Sequence, residues 1–305
     1  MTTLEELGLL KMDFLGLRNL SVIQNTIDMV KKNHVIDIEF DQEMSDPKVY
    51  KLWQEGNTSG IFQFESQGMT NFMKELKPDC LEDLIAGVSL YRPGPMDQIP
   101  RYIRGKQNPG HNEYTHPSLE PILNVTYGCM VYQEQVMQIV RDLAGYSMGR
   151  ADLVRRAMGK KKLDVMAKER EVFIHGQLDE NGNIIVPGCV RNGIDEISAN
   201  KIFNEMSEFA KYAFNKSHAA CYAVVSYRTA YLKAYYPAEF MAATLNSYLG
   251  NLDKAPQYID ECKRLGIQIL KPDINKSFEK FTVENGKIRF GLGAIKNVGT
   301  IPVEN

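Results

Sequence analysis

Between residues 17 and 32 the apolar side chains Leu20, Ile23, Ile27 and Val30 recur three to four positions apart, the spacing of one face of an α-helix. Lys31 and Lys32 stand at its end, where the helix dipole favours cations. Upstream the period is two. Leu10, Met12 and Phe14 alternate with Leu9, Lys11 and Asp13, so residues 7–17 predict a short strand carrying Lys11 and Asp13 on one face. Helical spacing then dominates. Residues 134–143, 151–158 and 197–212 each predict a helix, the last with Ile202, Phe203, Met206, Phe209 and Ala210 as its apolar stripe. Residues 218–236 predict another, stopped by Pro237, and helices over 238–249 and 255–265 follow, with Gly266 placed as a C-terminal cap. Strand signals flank Asn181-Gly182 and Asn285-Gly286, the dipeptides of type I′ hairpin turns. The expected fold class is mainly α with minor β (α+β). No repeat or low-complexity linker breaks the chain, and from Gly291 onward a glycine-punctuated helical motif begins and stops.

Composition bounds the function. A length of 305 residues exceeds one small domain, at roughly 150 residues each. The apolar share of 44% and the charged share of 24% are those of a folded soluble protein. Lys plus Arg number 36 against 38 Asp plus Glu, so any contact with nucleic acid must rest on local clusters. Five isolated cysteines with no C-x-x-C argue against a zinc ribbon and suit a reducing compartment. No apolar run of ~18 residues and no signal-peptide pattern occurs, so a cytoplasmic protein without membrane contact is expected.

Several motifs fail on inspection. Gly145-Tyr146-Ser147-Met148-Gly149 matches a hydrolase nucleophile elbow, but the residues before it read as helix where that motif needs a strand. Gly159-Lys160-Lys161 lacks the preceding glycine of a phosphate loop, since Val154 stands there. After Gly291-Leu292-Gly293, a dinucleotide fingerprint would want glycine where Lys296 stands. The acidic residues Asp37, Glu39 and Asp41 alternate like a metal-binding strand and are read as a solvated edge.

The remaining signals are cationic. Arg150, Arg155, Arg156, Lys160, Lys161 and Lys162 are offset within their run only by Asp152, and Arg156 shares a helix face with Lys160. Such a run either seats a polyphosphate or nucleic-acid backbone or lines a solvated face. In Phe214-Asn215-Lys216-Ser217-His218 the amides of a helix start lie beside Lys216, an anion site unless Asn215 or Ser217 merely caps the helix. Tyr91-Arg92-Pro93-Gly94-Pro95 is a rigid turn that would aim Arg92. Tyr132-Gln133-Glu134-Gln135 reads as helix capping, and Asp13 alone reads as a helix N-cap.

Six segments in order carry a resemblance: residues 11–17, 60–66, 91–96, 132–137, 153–162 and 214–218, including KMDFLGL, GIFQFES, YRPGPM, YQEQVM, LVRRAMGKKK and FNKSH. Together they resemble the alpha subunits of bacterial DNA polymerase III, the C-family replicative DNA polymerases, over nearly the whole chain. The resemblance implies the helical fingers domain of such a polymerase with short β-hairpins, and DNA-templated nucleotide addition by two Mg²⁺ ions held by three palm aspartates. Asp13 matches the third of these, which turns it from a cap into a catalytic and metal-binding carboxylate. The family's Asp-x-Asp pair is missing from this sequence. The implied organisation is therefore a sliver of palm at 1–20, fingers at 21–250, and at 251–305 a linker with the start of a helix-hairpin-helix DNA-binding module, together inactive alone. Arg155, Arg156 and Lys160 would hold the incoming deoxynucleoside triphosphate, assisted by Arg92 and Lys216, with Asn215 and His218 flanking its sugar. Primer-template DNA is the implied partner, and the sliding clamp, clamp loader and proofreading subunit would bind through regions outside this chain. A non-catalytic nucleic-acid-binding module is the alternative, and a hydrolase built on Ser147 the third reading.

Overall fold

The computed structural model describes residues 6–9, 12, 16–160, 163–249, 253–298 and 303. In chain order its elements are α1 (Arg18–His34), α2 (Pro47–Glu55), α3 (Gln67–Leu76), α4 (Leu81–Leu90), α5 (Ile99–Gln107), α6 (Glu120–Leu123), α7 (Gln133–Ala144), α8 (Met148–Gly159) and α9 (Leu163–His175). There follow strands β1 (Gln177–Leu178) and β2 (Ile184–Val186), helices α10 (Glu196–Phe209), α11 (Lys216–Tyr235), α12 (Pro237–Asn246) and α13 (Ala255–Arg264), and strands β3 (Ile269–Leu270), β4 (Thr282–Glu284) and β5 (Lys287–Arg289). The fold is mainly α with minor β, as expected. It divides into two compact units, Asp41–Ala230 and the described residues of 1–40 with 231–298 and 303, and the division falls within α11.

In the central unit, α7 to α10 enclose one core. Val136, Ile139, Val140 and Leu143 from α7 meet Ala151, Val154 and Met158 of α8, Phe173 of α9, and Ile202, Phe203 and Met206 of α10. Full burial of each large side chain contributes roughly 2 kcal/mol. In α2 and just before α3, Trp53 and Phe64 are fully buried, and their rings meet edge to face at 5.6 Å. Side-chain caps open α2, α3, α8 and α10, from Asp46, Ser66, Ser147 and Asp195 respectively. Each is worth about 1 kcal/mol.

In the other unit α1 packs against α12, burying Val22, Ile23, Thr26 and Val30 on one side and Phe240, Met241 and Ala243 on the other. Strand β5 lies between β3 and β4, parallel to the first and antiparallel to the second. In the same unit Lys233 is fully buried with its Nζ 2.6 Å from Glu261, whose carboxylate also takes Arg264.

Several expectations are corrected. No strand forms among the described residues of 7–17, where Leu7, Leu9 and Met12 are exposed. The stripe of α1 runs through Val22 and Thr26 rather than Leu20, which is 52% exposed; Thr26 enters because its hydroxyl donates to the Val22 carbonyl. Helix α10 ends at Phe209, three residues early, and α11 begins at Lys216, two residues early. Pro237 does more than stop α11: it opens α12, where its missing N–H is no loss. Asn285 and Gly286 both have positive φ, as a type I′ turn requires, whereas at Asn181-Gly182 only the glycine does. There the loop is five residues long, because the Asp179 carboxylate accepts the amides of Asn181 and Asn183. Helices α2 to α6 and α9 escape the periodicity reading altogether.

Candidate phosphate-binding site

The residues singled out for the nucleotide belong to three stretches of the central unit, at Arg92, at 155–160 and at 215–218. Residues 210–215, between α10 and α11, touch the turn after α4, the end of α8 and the residue before α7. Gly94 adopts φ 106°, and a side chain there would run into the Tyr212 ring, so the turn after α4 closes directly on this segment. A Cβ added at Gly159, the last residue of α8, would lie 3.3 Å from the Ala210 carbonyl oxygen. Tyr132 forms an isolated parallel bridge with Phe214, and the Gln133 amide donates to the Phe214 carbonyl at 2.9 Å. Sequence separation of up to about 120 residues is thereby collapsed onto a six-residue loop.

The start of α11 is satisfied from within the protein. The Asn215 Oδ1 accepts the His218 amide at 2.7 Å, the N-cap expected of it. Its Nδ2 donates to Glu134 Oε1 at 2.8 Å, and the Lys216 amide donates to both Glu134 oxygens at 3.1 Å. The anion that this helix start favours is therefore the Glu134 carboxylate. Lys216 Nζ lies 3.0 Å from the Glu82 carboxylate, and 5.2 Å from the centroid of the Tyr132 ring. Helix α7 is itself capped by Gln135, whose Oε1 accepts the Val131 and Tyr132 amides at 2.8 and 3.0 Å. The roles of Glu134 and Glu82 at α11 have no local sequence signal, since their partners are 81 and 134 residues away.

An aromatic ladder continues from this loop. The Arg92 guanidinium lies 4.3 Å from the Phe214 centroid, Phe214 meets His218 edge-on at 5.4 Å, and His218 meets Tyr222 at 4.3 Å. His218 and Tyr222, four residues apart on one face of α11, continue the ladder that Phe214 begins just before the helix. Tyr222 rests in turn on buried Phe62 at 5.1 Å. Arg92 and His218 are exposed.

The basic run is sorted by its neighbours. Arg150 turns to Glu169 of α9 at 3.1 Å and to the Tyr146 ring, so a second carboxylate, unseen in the run itself, neutralises it. Arg155 and Arg156 both hold Asp152, at 2.7 Å each, but Arg156 is 62% exposed against 22% for Arg155. The Arg155 hydrogen bond is the main cause that keeps the Asp152 carboxyl below its ordinary range. Lys160 is the exposed C-cap of α8 and forms no ion pair among the described residues. Lys161, Lys162 and Asp13 lie outside the described residues. Ser147 caps α8 by accepting the Arg150 amide and follows the end of α7, so the hydrolase geometry is absent there.

For divalent metal, the described residues bring together one group of three ligand-type side chains, Asp79, Cys80 and Asp83. The Lys106 ammonium already sits there, 2.8 Å from Asp79 and 2.6 Å from Asp83. Burial pushes the Asp83 carboxyl up despite this partner. Burial alone would lower the Lys106 ammonium, but its two carboxylates hold it above its ordinary value. A site neutralised by an ammonium does not fit two Mg²⁺ ions.

The fold is thus that of a mainly helical protein, and its candidate site gathers cations and aromatic rings around residues 210–215. Residues 19–181 match the family described as bacterial DNA polymerase III alpha subunit finger domain, and residues 266–305 match a helix-hairpin-helix motif. The chain is 48% identical over 305 residues to DNA polymerase III subunit alpha of Thermus aquaticus, covering 98% of this chain and 24% of that protein. It is 46% identical over 306 residues to the protein of the same name from Bacillus subtilis (strain 168), covering 100% and 26%. The chain belongs to the family of bacterial DNA polymerase III alpha subunits, and spans about a quarter of the length of the curated relatives it matches.

Proposed function

We propose that this chain is the fingers part of a DNA-directed DNA polymerase, binding the incoming deoxynucleoside triphosphate and primer-template DNA for chromosomal replication in the cytoplasm. The observation that supports it most is the convergence of the Arg92 turn, the end of α8 and the start of α11 on residues 210–215, in a member of this family. In this reading Arg155 and Arg156 exchange Asp152 for the phosphates. Asp152 keeps both guanidiniums oriented until a more highly charged triphosphate competes for them. Lys160 adds a point charge, and Arg92, held against Phe214, and Lys216 contribute to the same electrostatic field. Asn215 and His218 flank the sugar, the imidazole oriented by Phe214 and Tyr222.

The palm, fingers and DNA-binding spans 1–20, 21–250 and 251–305 belong to the same proposal, as do clamp, clamp loader and proofreading contacts made beyond this chain. Asp13 is proposed as a catalytic, metal-binding carboxylate. The described residues offer no fit for the metal pair, so no step is derived through it, and the chain is expected to give no primer extension alone. Robust extension would overturn that expectation. The nucleotide site is tested by calorimetric titration of deoxynucleoside triphosphate and monophosphate into the chain. Triphosphate is expected to bind the tighter, and Arg155→Ala with Arg156→Ala to weaken it by about tenfold or more, two charge-assisted contacts being lost. His218→Ala in the intact subunit is expected to raise ribonucleotide incorporation.

The helix-hairpin-helix match favours a second reading, a non-catalytic nucleic-acid-binding module. It predicts no preference for triphosphate over monophosphate and a steep fall of DNA affinity with salt.

A further inference from the structure

We propose that a cavity between α5, the loop after it and α10 is a second binding site, for the phosphate groups of nucleic acid or of a free nucleotide. The cavity has a volume of about 880 Å³, room for a nucleotide unit rather than a bare ion. Arg101 and Arg104 enter it from α5, one helical turn apart on the same face, and Lys201 enters from α10. Among the described residues none of these three cations forms an ion pair.

Two carboxylates also line the space, yet each cation keeps its charge uncompensated at close range. Glu205 accepts the Thr115 hydroxyl at 2.7 Å. Arg101 donates to the carbonyl oxygen of Glu113 at 3.0 Å, a bond that orients the guanidinium without neutralising it. Three cations therefore face two carboxylates. Tyr114 supplies a ring on which a base can stack. The wall is built for close approach: a side chain at Gly105 would run into Tyr127 and come within 2.8 Å of Asn112 Oδ1. None of the lining residues belongs to the Arg155–Lys160 site, so this inference does not rest on the reading of that site.

The test is fluorescence anisotropy of a labelled single-stranded oligodeoxythymidylate titrated with the chain, with unlabelled thymidine 5′-triphosphate as competitor. Arg101→Ala with Arg104→Ala is expected to weaken binding by about tenfold or more. It should also flatten the log–log salt dependence by about 1.4, at ~0.7 per phosphate contact on a single strand. Lys201→Glu, an exposed position within α10, is expected to act in the same direction and keeps folding out of the comparison. Displacement by the triphosphate, lost in these variants, assigns free nucleotide as the ligand; loss without displacement assigns the strand. Unchanged affinity of both variants for both probes overturns the proposal, and so does failure of the parent chain to bind either probe.

Discussion

Arg104 and Lys106 lie two residues apart on α5 and are treated in opposite ways by the fold. Lys106 is 13% exposed and held by two carboxylates, one of them, Asp83, only 1% exposed. Arg104 faces a cavity and pairs with none among the described residues. The same division recurs at the candidate phosphate site. Arg150 and Lys216 are committed to Glu169 and Glu82, Arg155 and Arg156 share one carboxylate between them, and Lys160 forms no ion pair among the described residues. A run of positive charge in sequence is thus not a measure of positive charge offered to a ligand. What counts is which carboxylates the fold delivers from elsewhere.

The sharpest way to break this distinction is to unmatch a committed cation. Asp83→Ala leaves a largely buried ammonium with only the exposed Asp79, and is expected to cost about 3 kcal/mol in urea denaturation, near the lower end for breaking a buried pair. A loss under 1 kcal/mol would mean that Lys106 escapes to solvent. Glu134→Ala removes three charge-assisted hydrogen bonds from the start of α11 and is expected to cost about 1–2 kcal/mol. It also vacates an anion position, so phosphate affinity is expected to rise at that helix start. Arg104→Ala, by contrast, is expected to change stability by less than about 0.5 kcal/mol, as a side chain with no structural partner should.

The smallest effect is a pH dependence. The Arg155 hydrogen bond lowers the Asp152 carboxyl in the folded state, so the stabilisation it brings is fully present above the unfolded value of about 4 and is lost as pH falls through the folded value. Asp41, lowered chiefly by the Ser45 amide, and Asp195, lowered chiefly by Ser198, act with the same sign. Urea midpoints measured between neutral pH and about pH 3 are expected to fall, and to fall less steeply in Asp41→Asn.

How much of this was readable in advance follows from distance along the chain. Helices α7, α8 and α10 fall where the local pattern expects them, and the α10 residues Ile202, Phe203 and Met206 enter the core as their spacing predicts. Helices α2 to α5 are short, and α2, α3 and α5 open on caps or prolines rather than on long stripes, so period alone misses them. The cations of α8 are visible as a run, but Glu169, which disarms Arg150, comes from the next helix. The Glu134 clamp on Asn215 and Lys216 joins residues 81 and 82 positions apart, and the Arg101–Lys201 cavity joins residues further apart still. Local pattern carries neither. Their chemistry exists only after residues 210–215 and the loop behind α5 have been folded into place.

The most direct test of the sorting of cations at the phosphate site is a titration of deoxynucleoside triphosphate into the parent chain, Asp152→Asn and the Arg155→Ala, Arg156→Ala double variant. If Asp152 holds both guanidiniums until phosphate replaces it, Asp152→Asn binds more tightly than the parent, and the double variant more weakly by about tenfold or more. Equal affinities in all three would contradict it and place the triphosphate elsewhere.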